Sequence, residues 1–456
     1  MESVDFLICG EILISHPDDS PIPGGAVAVR DDTIVAAGPL SELAKSYVAK
    51  KTIDRPCGLI LPGLINSHTH AAMILFRGLA DDLPLKTWLE DHIFPAEARL
   101  TSELVALGTE LACAEMIRCG TTGFVDMYLF EDSVASVTDR VGLRAWLGEG
   151  VFDFPSPAFP SGEEALKETE RLMDKWKGHP RITITVDPHT PYTCRPELLR
   201  RSQKLAEAGD TPIVIHLAET EWENAEIRRL HGISPVKYLD RLGLLGDRLL
   251  AIHCMSLSKD DISLLARRDV RVVHCPESNL KLASGIAPVP ELLEAGVVVT
   301  LGTDGAASNN DLDLMSEMDT AAKLHKGIRK DPTLISATEA FSMATTWAAK
   351  ALHREDLGCL REGAMADLVV VDMNQVHLRP CYNPVSHLVY VARSGDVQDV
   401  MVAGRMLMKD RVLTTIDEER LLEKLSKAAE GMLIVLWQQG KCLFHRLFCR
   451  LDIVNV

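Results

Sequence analysis

Between residues 58 and 360 the chain repeats one alternation: a short, nearly continuous apolar run, then a longer amphipathic stretch. The runs are Leu59–Leu64, Gly123–Met127, Arg144–Phe152, Ile182–Asp187, Pro212–His216, Leu249–His253, Val270–Cys275 and Val297–Thr303. Each is about strand length, and several are apolar almost throughout, the pattern of a strand buried on both faces. Between them the spacing predicts helices, among them Ser102–Cys119, Gly162–Lys177, Pro196–Ala208, Trp222–Leu230 and Lys259–Arg267. Eight strands alternating with helices predict an α/β fold, a (β/α)8 TIM-type barrel whose functional groups gather at the C-terminal strand ends. A doubly wound open sheet is the alternative, but the glycine-rich phosphate turn it often carries is absent.

The flanks read differently. Asp5–Leu13, Gly25–Arg30 and Thr33–Ala36 are short strand-like pieces between turns, and Asp367–Asp372 and Val397–Val402 repeat the pattern near the other end. Residues 1–57 and 362–411 are therefore expected to pack together as one small discontinuous β-sandwich around a barrel of residues 58–361. Residues 412–456 form a tail, helical over 416–439, and from Met432 onward it mixes apolar and basic residues with no assigned role. The sequence contains neither an internal repeat nor a low-complexity segment.

Composition narrows the partners. With 46% apolar and 25% charged residues, the bulk of the chain is not intrinsically disordered. A formal charge of −17 argues against nucleic acid as partner, because phosphate recognition depends on Lys and Arg. Small neutral or cationic substrates suit such a field better. The 11 cysteines contain no Cys-x-x-Cys pair and read as reduced thiols in a cytoplasmic protein. Glu2 and Asp5 do not begin a secretory signal, and no apolar run approaches the ~18 residues that span a bilayer.

Chemistry concentrates at the strand ends. The first run leads into Ser67-His68-Thr69-His70, and two imidazoles two residues apart on a strand point to one side, where both can bind one metal ion. A lone His-x-His is commonly chance. Other ends repeat the theme, however: Asp187-Pro188-His189, His216-Leu217-Ala218-Glu219, His253-Cys254, His274-Cys275-Pro276-Glu277 and Thr303-Asp304-Gly305. Packing accounts poorly for polar groups at so many ends, since burying each without a partner costs roughly 1–3 kcal/mol.

This arrangement resembles the amidohydrolase superfamily, with His-x-His on strand one, His on strands five and six, and Asp on strand eight. Pro62-Gly63-Leu64-Ile65-Asn66-Ser67-His68-Thr69-His70 and Gly363-Ala364-Met365-Ala366-Asp367-Leu368 resemble its barrel entry and C-terminal sandwich. The segments Phe76-Arg77-Gly78-Leu79-Ala80-Asp81-Asp82-Leu83-Pro84-Leu85, Trp88-Leu89, Phe94-Pro95-Ala96-Glu97 and Asp304-Gly305-Ala306-Ala307-Ser308-Asn309-Asn310 are similar to the 5-methylthioadenosine/S-adenosylhomocysteine deaminase family. The resemblance covers about residues 5–430. It implies hydrolytic deamination of an adenine nucleoside. Binuclear relatives use a lysine at the end of strand four; Arg181–Tyr192 contains none, so a mononuclear site is expected. His68, His70, His216 and Asp304 would hold the ion, zinc by resemblance, although nitrogen and carboxylate ligands also accept iron.

The resemblance also implies roles. Asp304 would take the proton of the attacking water, His253 would orient that water, and Glu219 would protonate the ring nitrogen beside the amino-bearing carbon. Glu219 could otherwise be half of an ion pair. Glu97 matches the glutamate that accepts the ribose hydroxyls, and His189 the histidine that reaches the sugar or its 5′ substituent. Without the family, Glu97 is a helix charge and His189 a loop residue. Trp88 could face the purine, although an aromatic near helical apolar positions is commonly core. Ser308 and Asn309 are expected to cap the turn after Asp304.

Some relatives that accept S-adenosylhomocysteine carry arginines able to meet its carboxylate, typically after strand three. The corresponding Val151–Gly162 has no Lys or Arg and contains Phe152, Phe154 and several prolines. A carboxylate desolvated there would be costly, which favours methylthioadenosine or a similar 5′-deoxyadenosine. Two other readings compete: an amidohydrolase acting on guanine, cytosine or a triazine, and a barrel scaffold without catalysis. The scaffold reading requires missing ligands, and all the candidates are present. By analogy of architecture a homo-oligomer is expected.

Overall fold

The apolar runs become parallel strands in two sheets of the computed structural model, which describes residues 1–83 and 85–438. In the first sheet Leu64–Thr69, Thr121–Tyr128 and Arg144–Val151 lie side by side, and Ile182–Ile184 and Asp187–Pro188 both pair with Arg144–Val151. In the second, Ile213–Leu217, Leu249–His253, Arg271–His274 and Val299–Leu301 follow in order. A parallel bridge between Val186 and Ile213 links the sheets on one side. On the other, the Asp304 amide donates to the His68 carbonyl at 3.0 Å. Ile65, Val125, Met127, Val214, Leu250, Ile252 and Val273 share one buried cluster, and alternate residues such as Val272 and Ile215 join another.

The helices predicted between the runs occupy Ser102–Arg118, Gly162–Lys175, Pro196–Gly209, Glu221–His231 and Lys259–Arg267. Local chemistry sets their ends. Thr101, Ser161, Thr220 and Ser258 accept an early amide as N-caps. Past Glu221–His231, Gly232 adopts a left-handed φ of +74° that its missing side chain permits.

Both flanks join in one nine-stranded mixed sheet. Its order is Val412–Leu413, Arg405–Lys409, Val397–Val402, Leu368–Asp372, Tyr47–Pro62, Glu2–Leu13, Gly25–Arg30 and Thr33–Pro39, with Ile22–Pro23 paired to Glu2–Leu13. Period-two alternation divides its side chains. Ile8, Val27, Val29, Ile60, Leu368 and Val370 share one cluster, while Val4, Leu7, Ala26 and Ala28 share another with Leu43.

One expected strand is corrected. The run Leu59–Leu64 is not the first parallel strand: Leu59–Pro62 ends the long Tyr47–Pro62 strand of the flanking sheet, and the parallel strand begins at Leu64. The break falls at Pro62-Gly63. Proline brings no amide to a ladder, and a β-carbon at Gly63 would lie 2.1 Å from Thr122 Oγ1. The boundary expected after residue 57 thus falls inside a strand, and the flanking sheet runs on to Leu413.

A buried ion pair fastens the flank to the parallel strands: Arg144 Nε and Nη2 donate to the two oxygens of Asp367 at 3.0 and 3.2 Å. The Glu418–Gln438 helix begins the tail, with Arg118 bidentate on Glu418 at 2.9 and 2.7 Å. The rest of the expected tail, residues 439–456, lies outside the described residues. Cys9, Cys57, Cys113, Cys119, Cys194, Cys254, Cys275, Cys359 and Cys381 are free thiols.

Candidate active site

His68 and His70 sit at the C-terminal end of Leu64–Thr69, two residues apart, and both imidazoles turn to the side where His216 ends the Ile213–Leu217 strand. One ring nitrogen from each lies within 4.8 Å of the others. Asp304 reaches them because its strand runs beside His68. Asn66 joins the two strands, donating to Thr303 Oγ1 at 2.8 Å and accepting the Thr303 amide at 3.0 Å. A β-carbon at Gly302 would lie 2.8 Å from the His68 amide, so this close approach requires glycine.

Hydrogen bonds define the donor atoms. His216 Nδ1 donates to the His189 carbonyl at 3.0 Å, and His70 Nδ1 donates to the Met127 carbonyl. In their neutral forms both rings therefore present lone pairs at Nε2. His216 Nε2 lies 3.2 Å from His68 Nε2, and Asp304 Oδ1 lies 3.3 Å from His70 Nε2 and 3.6 Å from His68 Nε2. Burial holds His68 and His216 far below the usual histidine range, hence neutral. Burial opposes charge on His70 as well, but the Asp304 carboxylate draws it up to about 9. Two buried imidazoles, a half-buried third and one carboxylate converge on a point that calls for positive charge, and this donor set fits a divalent ion.

Around that point stand the other polar groups. Asp304 Oδ2 accepts from Ser278 Oγ at 2.6 Å, and Oδ1 accepts the Gly305 amide at 2.8 Å. Asn279 Nδ2 lies 3.0 Å from His253 Nδ1, so the amide donates and the ring proton sits on Nε2. That Nε2 is 3.9 Å from Glu219 Oε1. Burial, then the nearby Asp304 charge, pushes Glu219 up to about 7. Ala218, His253, Cys254 and Asp304 all adopt positive φ, of +51°, +71°, +50° and +64°. Such backbone costs roughly 1–3 kcal/mol per residue and persists where its surroundings impose it.

One cavity connects these groups to the expected substrate residues. His70, His216, Glu219, His253 and Asp304 line it with Glu97, His189, Trp88, Tyr128, Phe152 and Tyr192. Tyr128 Oη donates to Glu97 Oε1 at 2.8 Å, and burial pushes Glu97 up to about 7. The His189 carbonyl accepts both the amide and Nδ1 of His216 at 3.0 Å, and the His189 ring lies tilted against Phe152 with centroids 4.8 Å apart. Burial pushes His189 down to about 3. Trp88 anchors its indole on the Ala80 carbonyl at 3.0 Å and presents its ring to the cavity. Among the described residues lining the cavity none is Lys or Arg.

Not every polar strand end arrives there. His274 turns outward and sets Nε2 3.4 Å from His325 Nε2, away from the cavity. Asp187 is buried with both oxygens unpartnered. Ser308 Oγ donates to the Gly305 carbonyl at 3.0 Å and also lines the cavity, and Asn309 Nδ2 donates to the Thr303 carbonyl at 2.9 Å. Sequence reasoning missed Tyr128, Glu223, Ser278 and Asn279. Glu223 accepts the Ala218 and Glu219 amides at 3.0 and 2.9 Å; the Thr220-x-x-Glu223 capping pattern was its one available signal.

Residues 59–407 match the amidohydrolase family, and residues 25–47 match a bacterial imidazolonepropionase-like composite domain. A 5-methylthioadenosine/S-adenosylhomocysteine deaminase of Syntrophobacter fumaroxidans is 52% identical over 92% of this chain and 96% of its own length. A 5′-deoxyadenosine deaminase of Methanothermobacter thermautotrophicus is 44% identical over 94% of this chain and 99% of its own. A crystal structure of an adenosine deaminase from Xanthomonas campestris with bound zinc superposes with a TM-score of 0.93, at 40% identity, covering 95% of this chain and 99% of that one.

Proposed function

We propose, because the chain belongs to the amidohydrolase family and within it to the 5-methylthioadenosine/S-adenosylhomocysteine deaminases, that it hydrolytically deaminates adenine nucleosides of the 5′-methylthioadenosine type. The reaction takes up one water and releases ammonia, turning adenine into hypoxanthine. S-adenosylhomocysteine and adenosine are the further candidate substrates. One observation carries this reading: Glu219, His253 and Asp304 stand around the three converging imidazoles in the cavity that Glu97 also lines.

In this reading His68, His70, His216 and Asp304 hold one divalent ion, zinc by likeness to the zinc-bound neighbour. When bound, the ion supplies Lewis acidity that brings the pKa of water toward neutrality. Every other task falls to side chains. Asp304, fixed by Ser278 and the Gly305 amide, accepts the proton of the attacking water. His253 directs its Nε2 proton at the water oxygen and holds it in line with the ring carbon. Glu219, with a carboxyl that keeps its proton to about pH 7, donates to the neighbouring ring nitrogen. That makes the carbon more electrophilic before ammonia leaves.

Glu97 accepts the ribose hydroxyls across the cavity, His189 reaches the sugar or its 5′ group, and Trp88 faces the purine. Phe152, whose ring centroid lies 5.1 Å from that of Phe154, borders an apolar end where no Lys or Arg lines the cavity among the described residues, which suits a methylthio or deoxy group better than a homocysteine carboxylate. We read the two parallel sheets as one closed (β/α)8 barrel, supported by the Val186–Ile213 bridge and the Asp304–His68 bond. The flanking strands read as one β-sandwich, supported by apolar residues of both flanks meeting in one cluster. The free thiols support a cytoplasmic setting, and a homo-oligomer rests on the analogy of architecture.

The test is incubation of the zinc-loaded protein with 5′-methylthioadenosine while adenine absorbance is followed. Loss of that absorbance with release of ammonia is expected. No turnover across a panel of adenine nucleosides would overturn the reading.

A further inference from the structure

Tyr128 closes the Thr121–Tyr128 strand with its ring in the cavity and 5% of its surface exposed. The phenol donates to Glu97 Oε1 at 2.8 Å. Glu97 comes from the short Phe94–Glu97 helix, which belongs to no strand, so nothing in a ladder fixes its carboxylate. Among the described residues Tyr128 is the hydrogen-bond partner of that side chain. The tyrosine ring in turn packs against His70, with centroids 5.9 Å apart. A strand end and a separate short helix of the cavity wall are thus joined by one phenol.

A carboxylate has about four acceptor positions, and one donated bond leaves Oε2 and a lone pair of Oε1 for a ligand. Two neighbouring hydroxyls on a sugar match that remainder, because each donates to one oxygen. They match it only if the carboxylate plane is fixed. We infer that Tyr128 is a positioning residue for the sugar: its phenol orients Glu97 so that the site selects nucleosides with both ribose hydroxyls present. This rests on the reading of Glu97 as the ribose acceptor. Tyr128 touches no reacting atom, so the bond should influence how well the nucleoside binds and leave the chemical step nearly untouched.

The experiment measures kcat and KM for adenosine and 2′,3′-dideoxyadenosine with the zinc-loaded wild type, Y128F, E97Q and the double variant. Expected for Y128F is a rise of about tenfold in KM for adenosine, the effect of one lost hydrogen bond to a charged group. Its kcat should stay within about twofold, and dideoxyadenosine kinetics should not change. In the E97Q background Y128F should add nothing, because the two residues act as a unit. Should the wild type treat both nucleosides alike, the Glu97 reading fails, and the inference with it. Should the wild type discriminate while Y128F discriminates equally well, the inference alone is wrong. Equal losses on both nucleosides, or independent effects in the double variant, would also overturn it by making Tyr128 a packing residue. Thermal melting checks that Y128F is folded, and if it is not, Y128L and E97Q/Y128L, which also lack the donor, complete the same comparison.

Discussion

Glu223 Oε2 accepts the backbone amide of Glu219 at 2.9 Å, so the residue proposed to protonate the substrate has its main chain held from the following helix. The other oxygen takes the Ala218 amide at 3.0 Å, where φ is +51°. Glu223→Ala would leave two amides without their partner, at roughly 1–3 kcal/mol each. We expect a fall in kcat of at least about tenfold together with a lower melting temperature, and a milder loss for Glu223→Gln, which keeps one acceptor. Steady-state kinetics beside thermal melting checks both.

The pH profile reports Glu219. Its carboxyl is pushed up to about 7 by burial and by the Asp304 charge, and the proposed role needs the protonated form. The active fraction is therefore high below about pH 7 and falls as pH rises through it. Glu219→Gln should lower kcat by about 10²–10⁴-fold, the contribution of a positioned general acid. A wild-type kcat that stays flat from pH 6 to 9 would contradict the assignment.

Stability toward acid reports a different pair. His325 is held down to about 4 and His274 well below the usual range, chiefly by burial. An unfolded histidine titrates near 6.5, so between 6.5 and 4 the unfolded chain binds more protons and stability is lost as pH falls. His325→Gln should flatten that decline, by roughly 1–3 kcal/mol at pH 4. Denaturant titrations at pH 7, 5.5 and 4 measure it.

Chelation should abolish turnover, and zinc should restore it with one ion per chain in elemental analysis. His68→Ala and His216→Ala each remove one donor of the set that, among the described residues, comprises three imidazoles and Asp304. Added zinc should not restore their activity at concentrations that revive the stripped wild type. Substoichiometric zinc in an active wild type would argue against the ligand set.

The apolar end of the cavity sets the last expectation. Phe152 lies between Phe154 and His189, with ring centroids 5.1 and 4.8 Å away. Phe152→Arg should raise the kcat/KM ratio of S-adenosylhomocysteine to 5′-methylthioadenosine by about tenfold, through one charge-assisted bond to the added carboxylate. An unchanged ratio would place the 5′ substituent elsewhere.

The parallel strands were legible because burial on both faces makes them apolar throughout, as in Leu249–His253. The same property misled at Leu59–Pro62, since an apolar run does not say which sheet receives it. His68 and His70 were readable from period two, and His216, His253 and Asp304 from their place at strand ends. His274 had the same signature but points outward, because a one-residue change of phase sends a side chain to the other face. Glu97 and His189 lie outside periodic segments and took their meaning from resemblance. Tyr128 and Glu223 act through partners that only the folded chain brings near.

The flanking sheet has a consequence for how the molecule is made. Leu61 pairs with Val369, about 300 residues later, so the Tyr47–Pro62 strand waits for its neighbour while nearly all of the intervening chain is synthesised. At about 5–20 residues per second that interval lasts tens of seconds. Until Leu368–Asp372 leaves the ribosome, the nascent chain carries one side of a strand with its amides and carbonyls unanswered, a template for pairing with other chains. Translation stalled anywhere between those strands would leave that edge bare, and such fragments should aggregate even where their own parallel strands have already come together.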